Sequence, residues 1–479
     1  PFFALSSLSL HPFMADADAL IKTKCPPPSA PLRLWIFALV LALSGGFHFG
    51  YNMVITNPAQ NSFMKFVNES SVPMSNEELN SYWPIIVSML SIGGVLGSFY
   101  IRIAADRLGR KNAMMMTTLG QTVSCILSII SFFIRNTHLY SFSRFLLGFF
   151  QSIALGVAPL FLSESSPPHI RGRISLSTGL SVQSSVVFGS VLAMPQVFGD
   201  SWYLLYVVEL ILLLIPLLSI PFFPDSPSFL VAKGHIDEAL RSIIFFHDGD
   251  QNYALSEVGK LVEEDQENEE TVGIWKVFAE RINREPVVNG CMVVLAMISS
   301  GIVVINGYAV SLLMEVGLSI DAAAWANIGI GSIGVIGVLL SSFFIDRYGR
   351  RPILLSTLTL ILLSNIAIVI LMFLFEQTKN VFYGEILLIP ICIYCLLFCA
   401  GPSPLSFSIP AELSSISIRG SAMTWATVTN AVYRSIVLAI FPPLVLLYGT
   451  SAVYSILFIP ISLFTLIYLF IRLPETKQR

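Results

Sequence analysis

The chain repeats one pattern: apolar runs about as long as the ~20 helical residues needed to cross a bilayer core, separated by short polar stretches. The runs predict twelve spans, at roughly 33–55, 81–104, 113–134, 138–162, 174–198, 202–223, 287–314, 322–345, 353–375, 384–409, 421–446 and 451–472. They fall as six, a break, and six. The break, 224–286, is polar and contains "EEDQENEE", which predicts a solvated helical segment rather than membrane. The expected organisation is a disordered lead-in (1–32), a six-helix bundle (33–223), a helical linker (224–286), a second six-helix bundle (287–472) and a short tail (473–479). The chain opens at Pro1, and Met14 is a candidate start.

Composition fixes the class. Only 12% of the 479 residues are charged and 54% are hydrophobic, against about 25% charged in a soluble domain. The formal net charge of −3 says little; the placement of the cations says more. All but five of the 27 Lys and Arg residues lie on the side carrying both termini and the linker. Lys65, Arg135 and Lys379 lie opposite, and Arg144 and Arg434 lie inside spans. The excess of Lys and Arg predicts that the termini and linker are cytosolic. Asn68, in Asn68-Glu69-Ser70, then falls in the largest external loop as an expected glycosylation site. Of six cysteines, all but Cys25 lie in apolar segments, so no disulfide framework is expected. Cys392, Cys395 and Cys399 share a helical face without His or acid beside them. They read as small packing residues, and neither a metal nor another cofactor is expected.

Motifs recur between the halves. "DRLGRK" starts at Asp106 and "DRYGRR" at Asp346; "ESSPPHIRG" carries Glu164 and Arg171, "ELSSISIRG" carries Glu412 and Arg419; "PDSP" closes one half at Pro224 and "PETK" the other at Pro474. Three motif pairs at matching places indicate a duplication. Two six-helix bundles related by an axis along the membrane normal form a transporter architecture with the solute site between them near the midplane.

With "FGYN" (49–52), "GSFYIRIAADRLGRK" (97–111), "SRFLLG" (143–148), "PDSPSFL" (224–230), "GPSPLSF" (401–407) and "PAEL" (410–413), these motifs cover nearly the whole chain. On them the chain resembles the sugar-porter branch of the major facilitator superfamily, nearest the animal facilitative hexose transporters. Asp225, Ser228, Ser143 and Arg102 depart mildly from that pattern. The resemblance implies alternating access by a monomer in the plasma membrane, with a small solute and the lipid bilayer as its partners. Neither a nucleic-acid partner nor covalent catalysis is expected. It also implies a linker-side gate of ion pairs among Asp106, Arg107, Arg110, Glu164, Arg171, Asp225, Asp346, Arg347, Arg350, Glu412, Arg419 and Glu475, tying the bundles together when the cavity opens outward. Each exposed pair is worth only ~0–1 kcal/mol, but a network can bias an equilibrium of a few kcal/mol. Asp106 and Asp346 are expected near helix N-termini, where the dipole favours a carboxylate.

For the solute site, the resemblance points to Asn52 and Asn57 on span 1, Ser300 and Tyr308 on span 7, Phe398 on span 10 and Asn430 on span 11. Gln183 on span 5 joins them, one turn beyond the ungapped equivalent, Gly179. The family's other polar positions are lost: they fall at Met297, Ile298, Val303, Gly334, Cys399 and Phe407. Each lost donor or acceptor is worth ~0.5–1.5 kcal/mol, so the second half of a hexose site is largely missing. Three other residues are candidates. His48 reads equally as ligand or packing residue, and Glu209 as a structural partner for another polar group. Arg434 follows Asn430 by one turn. A mid-membrane cation costs at least ~2.5–3.5 kcal/mol and generally faces a wet cavity, so Arg434 is expected to face it, contacting either the solute or a protein carboxylate. Proton-coupled relatives carry Asp where this chain has Asn52; uniport is the first reading, and His48 or Glu209 the alternative proton carriers. A hexose is the first solute, an organic anion the second. A non-transporting sugar sensor is a third reading that the short tail disfavours.

Overall fold

The computed structural model describes residues 31–70, 75–167, 170–248, 251–267 and 273–474. Every regular element in these residues is helical. That is the necessary outcome in hydrocarbon, where a spanning segment must satisfy all its backbone groups internally.

Spans 2, 3, 4, 8, 9, 11 and 12 are single helices: Asn76–Leu108, Arg110–Ile134, Thr137–Ser165, Ile320–Tyr348, Arg350–Thr378, Ile416–Tyr448 and Thr450–Arg472. Span 6 is Tyr203–Ser219, extended by a 3-10 turn, Ile220–Phe222. Three spans are interrupted. Span 1 (Leu32–Ala42 and His48–Val54) passes through a π-helical turn, Leu43–Phe47. Span 7 (Arg281–Ile298 and Ile302–Glu315) breaks at Gly301, whose φ of 104° suits glycine. Span 10 (Val381–Ala400 and Pro402–Leu413) breaks at Gly401, because Pro402 has no amide to continue the ladder.

Among the described residues, eleven helices are long and apolar enough to cross a membrane; several residues of span 5, Arg171–Leu192, fall outside that count. Its 22 residues cover about 33 Å at 1.5 Å per residue, so it is long enough to span. Its hydroxyls cost little, because Ser177, Ser181 and Ser185 each donate to the carbonyl three residues back.

The packing has an internal twofold. Within the first half, spans 2 and 4, 3 and 4, 1 and 5, and 3 and 6 are neighbours. In the second half the same pairs recur six spans on: 8 and 10, 9 and 10, 7 and 11, and 9 and 12. Between halves, span 2 packs on 11 and span 5 on 8, again exchanged by the same operation. Helices Pro227–Ala232, Ile236–His247 and Gln251–Glu267 join the halves on one face, here the linker face. They share a small core of Leu230, Ile243 and Val258. Phe246 anchors them by packing on Phe37 of span 1.

Lipid tails give helices no hydrophobic reason to associate, so close backbone contact supplies the attraction. Spans 2 and 4 meet at Gly93 and Gly148: a Cβ on Gly148 would lie 1.8 Å from the Leu90 carbonyl oxygen, and one on Gly93 1.9 Å from that of Phe145. Gly148→Val should therefore force the pair apart. A loss of at least ~1–3 kcal/mol is expected, read as a lower thermal midpoint in detergent than for Gly94→Ala. The Cβ at position 94 meets nothing closer than 3.8 Å.

Candidate solute site

At the face opposite the linker, the halves are joined by hydrogen bonds. Asn57, which the structure places in the turn just past span 1 rather than on it, donates to the carbonyl of Asn306 (3.3 Å) and accepts from the amide of Val310 (3.2 Å). Those two groups belong to residues four apart on span 7, so the Asn57 amide is inserted at one rung of that helix. Ser311 donates to Gln60 at 2.8 Å, and Gln196 donates to Asp321. Outside this joint lies a cleft of about 370 Å³ lined by Pro58, Asn61, Asp200 and Asp321. The path between spans 1 and 7 is closed on this side.

Deeper, the span 5–span 8 seam holds Asn327, which donates to Ser190 (3.0 Å), and Gln183, which donates to the Gly331 carbonyl (3.2 Å). The Gln183 carbonyl also accepts from the Cys399 thiol at 3.6 Å. Gly334, where the sequence pattern loses an amide, leaves the room that the Gln183 side chain fills.

Asn52 points elsewhere. It is fully buried, donating to the His48 carbonyl (3.0 Å) and to the Glu209 carboxylate. His48 Nδ1 lies 3.4 Å from the same carboxylate. Span 6 thus sends its one acid into the first bundle, against span 1. Arg144 is buried in that bundle too, donating to Tyr206 Oη (3.5 Å) and the Val87 carbonyl (3.3 Å), while Tyr140 and Tyr206 share a 3.0 Å hydrogen bond.

In the second half Ser300 contacts Tyr394 Oη (2.8 Å) at the span 7 break. The freed Ser300 carbonyl accepts from Asn365 at 2.7 Å, and Tyr454 donates to Asn365. Tyr308 donates to the Leu438 carbonyl (3.0 Å) and stacks on Phe441; Phe398 stacks on Tyr394. Asn430 is 8% exposed, with no side-chain hydrogen bond among the described residues. Arg434 is partly exposed, and its guanidinium carbon lies 5.3 Å from the centroid of the Phe49 ring, across the boundary between halves. Its Nε is buried and unpaired, and no carboxylate reaches it among the described residues. A cation–π contact supplies ~0.5–2 kcal/mol, less than the ~2.5–3.5 kcal/mol cost of a mid-membrane cation. The exposed part of the guanidinium must find water or a solute.

On the linker face, the ion pairs Arg110–Glu164 and Arg350–Glu412 each lie within one half. Arg110 meets Glu164 at 2.8 Å in the first and Arg350 meets Glu412 at 3.4 Å in the second. Asp225, not Asp106, sits at the N-terminus of span 3, accepting from the amides of Arg110 (3.1 Å) and Lys111 (3.0 Å). Asp106 belongs to the last turn of span 2 and pairs with Arg102 (3.4 Å), because the helix runs on to Leu108. Arg107 is exposed, and Arg419 donates to the Ala411 carbonyl. The side chains of Arg171, Asp346 and Arg347, and all of Glu475, lie outside the described residues. A polar contact between halves that the sequence did not suggest is Arg102 to Ser421, at 2.9 Å. Asn68 is exposed on the helix Gln60–Ser70.

Residues 37–479 match the sequence family described as sugar (and other) transporter. Among known proteins, the chain is 26% identical over 465 residues to facilitated glucose transporter member 3 of solute carrier family 2 from Canis lupus familiaris, covering 93% of this chain and 90% of that protein. It is 26% identical over 479 residues to member 7 of the same family from Mus musculus, covering 96% and 92%. Among solved structures, the proton:xylose symporter XylE bound to 6-bromo-6-deoxy-D-glucose superposes with a TM-score of 0.76 at 19% identity, over 93% of this chain and 96% of that one. The partially occluded inward-open xylose transporter XylE from E. coli superposes with a TM-score of 0.72 at 17% identity, over 92% and 100%. These structures share the fold.

The buried span 1–span 6 contact makes a distinct prediction. Glu209→Gln keeps an acceptor for Asn52, whereas Glu209→Ala strands it. The alanine variant should be less stable than the glutamine variant by about 1–3 kcal/mol, measured by thermal unfolding of the two purified proteins side by side.

Proposed function

The chain belongs to the sugar (and other) transporter family, and on that footing we propose that it carries a hexose or related sugar down its gradient by alternating access. The observation that carries this reading is the pair of six-helix halves meeting along two symmetric seams, with hydrogen-bonding groups at mid-depth and a far face shut by exchangeable hydrogen bonds. The curated relatives are named as facilitated glucose transporters. The solute sits between the halves, held by Gln183 on span 5, Ser300 and Tyr308 at the span 7 break, Phe398 on span 10, and Asn430 with Arg434 on span 11.

Span 1 contributes structure rather than solute contacts in this state, since Asn52 is committed to Glu209 and Asn57 to span 7. Opening the far side releases Asn57 for the solute. Linker-face ion pairs re-form between halves as that side closes, while Asp225 holds the span 3 N-terminus throughout. With Asn52 unable to titrate, sugar movement needs no proton. The linker and termini face the cytosol, the protein works as a monomer in the plasma membrane, and Asn68 carries a glycan.

Purified protein in liposomes should show saturable uptake of labelled hexose that is unchanged by an imposed pH gradient and retained in Arg434→Gln with a raised KM. Uptake confined to anionic solutes and abolished by Arg434→Gln would overturn the hexose reading. Uptake that collapses with the pH gradient would overturn uniport. In mammalian cells, Asn68→Gln should abolish a glycosidase-sensitive mass shift; a shift that persists would remove Asn68 as the acceptor.

A further inference from the structure

Gln183 lies near the middle of span 5, Gly334 near the middle of span 8, and Cys399 two residues before the span 10 break. These three positions meet at one point, between the halves. The Gln183 amide donates to a backbone oxygen of span 8 and accepts from a thiol of span 10. Gly334 makes this possible: a Cβ there would lie 2.2 Å from Gln183 Nε2 and 3.2 Å from Cys399 Sγ. The second half thus offers a socket with one acceptor, the Gly331 carbonyl, and one weak donor, the Cys399 thiol. The part occupying it belongs to the protein.

We propose that Gln183 is an internal competitor for the sugar: its amide fills, in the empty carrier, the place that a solute hydroxyl takes in the loaded one. The proposal rests on the reading that a sugar binds between the halves. A hydroxyl both donates and accepts, so it can take over the Gly331 carbonyl and at the same time bond the displaced Gln183 amide. The exchange has a second consequence. Gln183 is on the first half and the socket on the second, so its withdrawal removes a direct bond between them and replaces it with one through the solute. Occupancy is thereby coupled to the freedom of the halves to rock. The hydroxyl-for-amide exchange also favours solutes with an unblocked hydroxyl at that point.

The test uses full-length protein with Cys399 as its only cysteine, after Cys25, Cys125, Cys291, Cys392 and Cys395 are replaced by alanine and hexose uptake is verified. N-ethylmaleimide is the thiol probe. Cys399 is 1% exposed beneath Gln183, so labelling should be slow in the empty carrier and faster when hexose is added. Gly334→Ala puts a methyl in the socket, shutting out the amide and a solute hydroxyl alike, so hexose should no longer change the rate of labelling. The KM for hexose in that variant should rise about two- to tenfold, the loss of one hydrogen bond. Gln183→Ala empties the socket without adding an atom to span 8, so Cys399 should label fast without hexose, which covers a failure of the glycine variant to fold. Hexose that slows Cys399 labelling in the parent, or a Gly334→Ala variant with unchanged labelling and KM, overturns the competitor. The solute-free arms read the socket directly, so a carrier that moves no hexose would fail the functional reading while still reporting on Gln183.

Discussion

A polar group inside the hydrocarbon must be satisfied by the protein, by trapped water or by a solute, because lipid offers nothing. Every informative contact in this structure is an answer to that requirement. The serines of span 5 bond to their own helix. Asn365 serves the carbonyl released by the span 7 break, and Glu209 serves Asn52 and sits beside His48. Where the answer lies within one half, moving the halves apart does not by itself break the contact. Where it crosses between halves, as with Asn57 and Gln183, it is a bond that can be traded.

This division explains how a carrier can be firmly built and still move. The contacts inside each half include helix backbones brought together at glycine and a carboxylate capping a helix terminus. Neither has a substitute partner if broken. Several contacts between halves, those of Asn57, Gln183, Asn327 and Ser311 among them, are single neutral hydrogen bonds, worth ~0.5–1.5 kcal/mol each. A few of them match the scale of a conformational equilibrium that a solute can shift. The ion pairs Arg110–Glu164 and Arg350–Glu412 stay within halves on the linker face, in a state whose opposite face is closed.

Much of the site was legible as residue types and little of it as partnerships. Span 6 shows one acid in an apolar run, and span 1 shows His48 and Asn52 on a shared face, but no spacing rule says that these three meet. Asn57 and Asn52 look alike as buried amides five residues apart. The structure sends one across to span 7 and the other back into its own bundle, because the helix ends at Val54 and Asn57 sits in the turn beyond it. Gln183 could be placed only against Gly179, one turn away. Its orientation follows from the absence of a side chain at Gly334, on a helix 151 positions later.

The order of apolar and polar residues by itself determined the class, the spans and the duplication. Bilayer thickness and backbone satisfaction leave helices of one length as the way to cross, and a repeated motif marks a repeated bundle. Span 5, rich in serine, is held in place by spans 1 and 8. Only the tertiary structure decided which polar side chains are consumed in holding the halves together and which remain for a solute. That depends on contacts between residues distant in sequence, and on which glycine leaves room for which amide. Arg434 shows the difference: its sequence position demanded a partner, and the fold gave it Phe49 and an unpaired nitrogen.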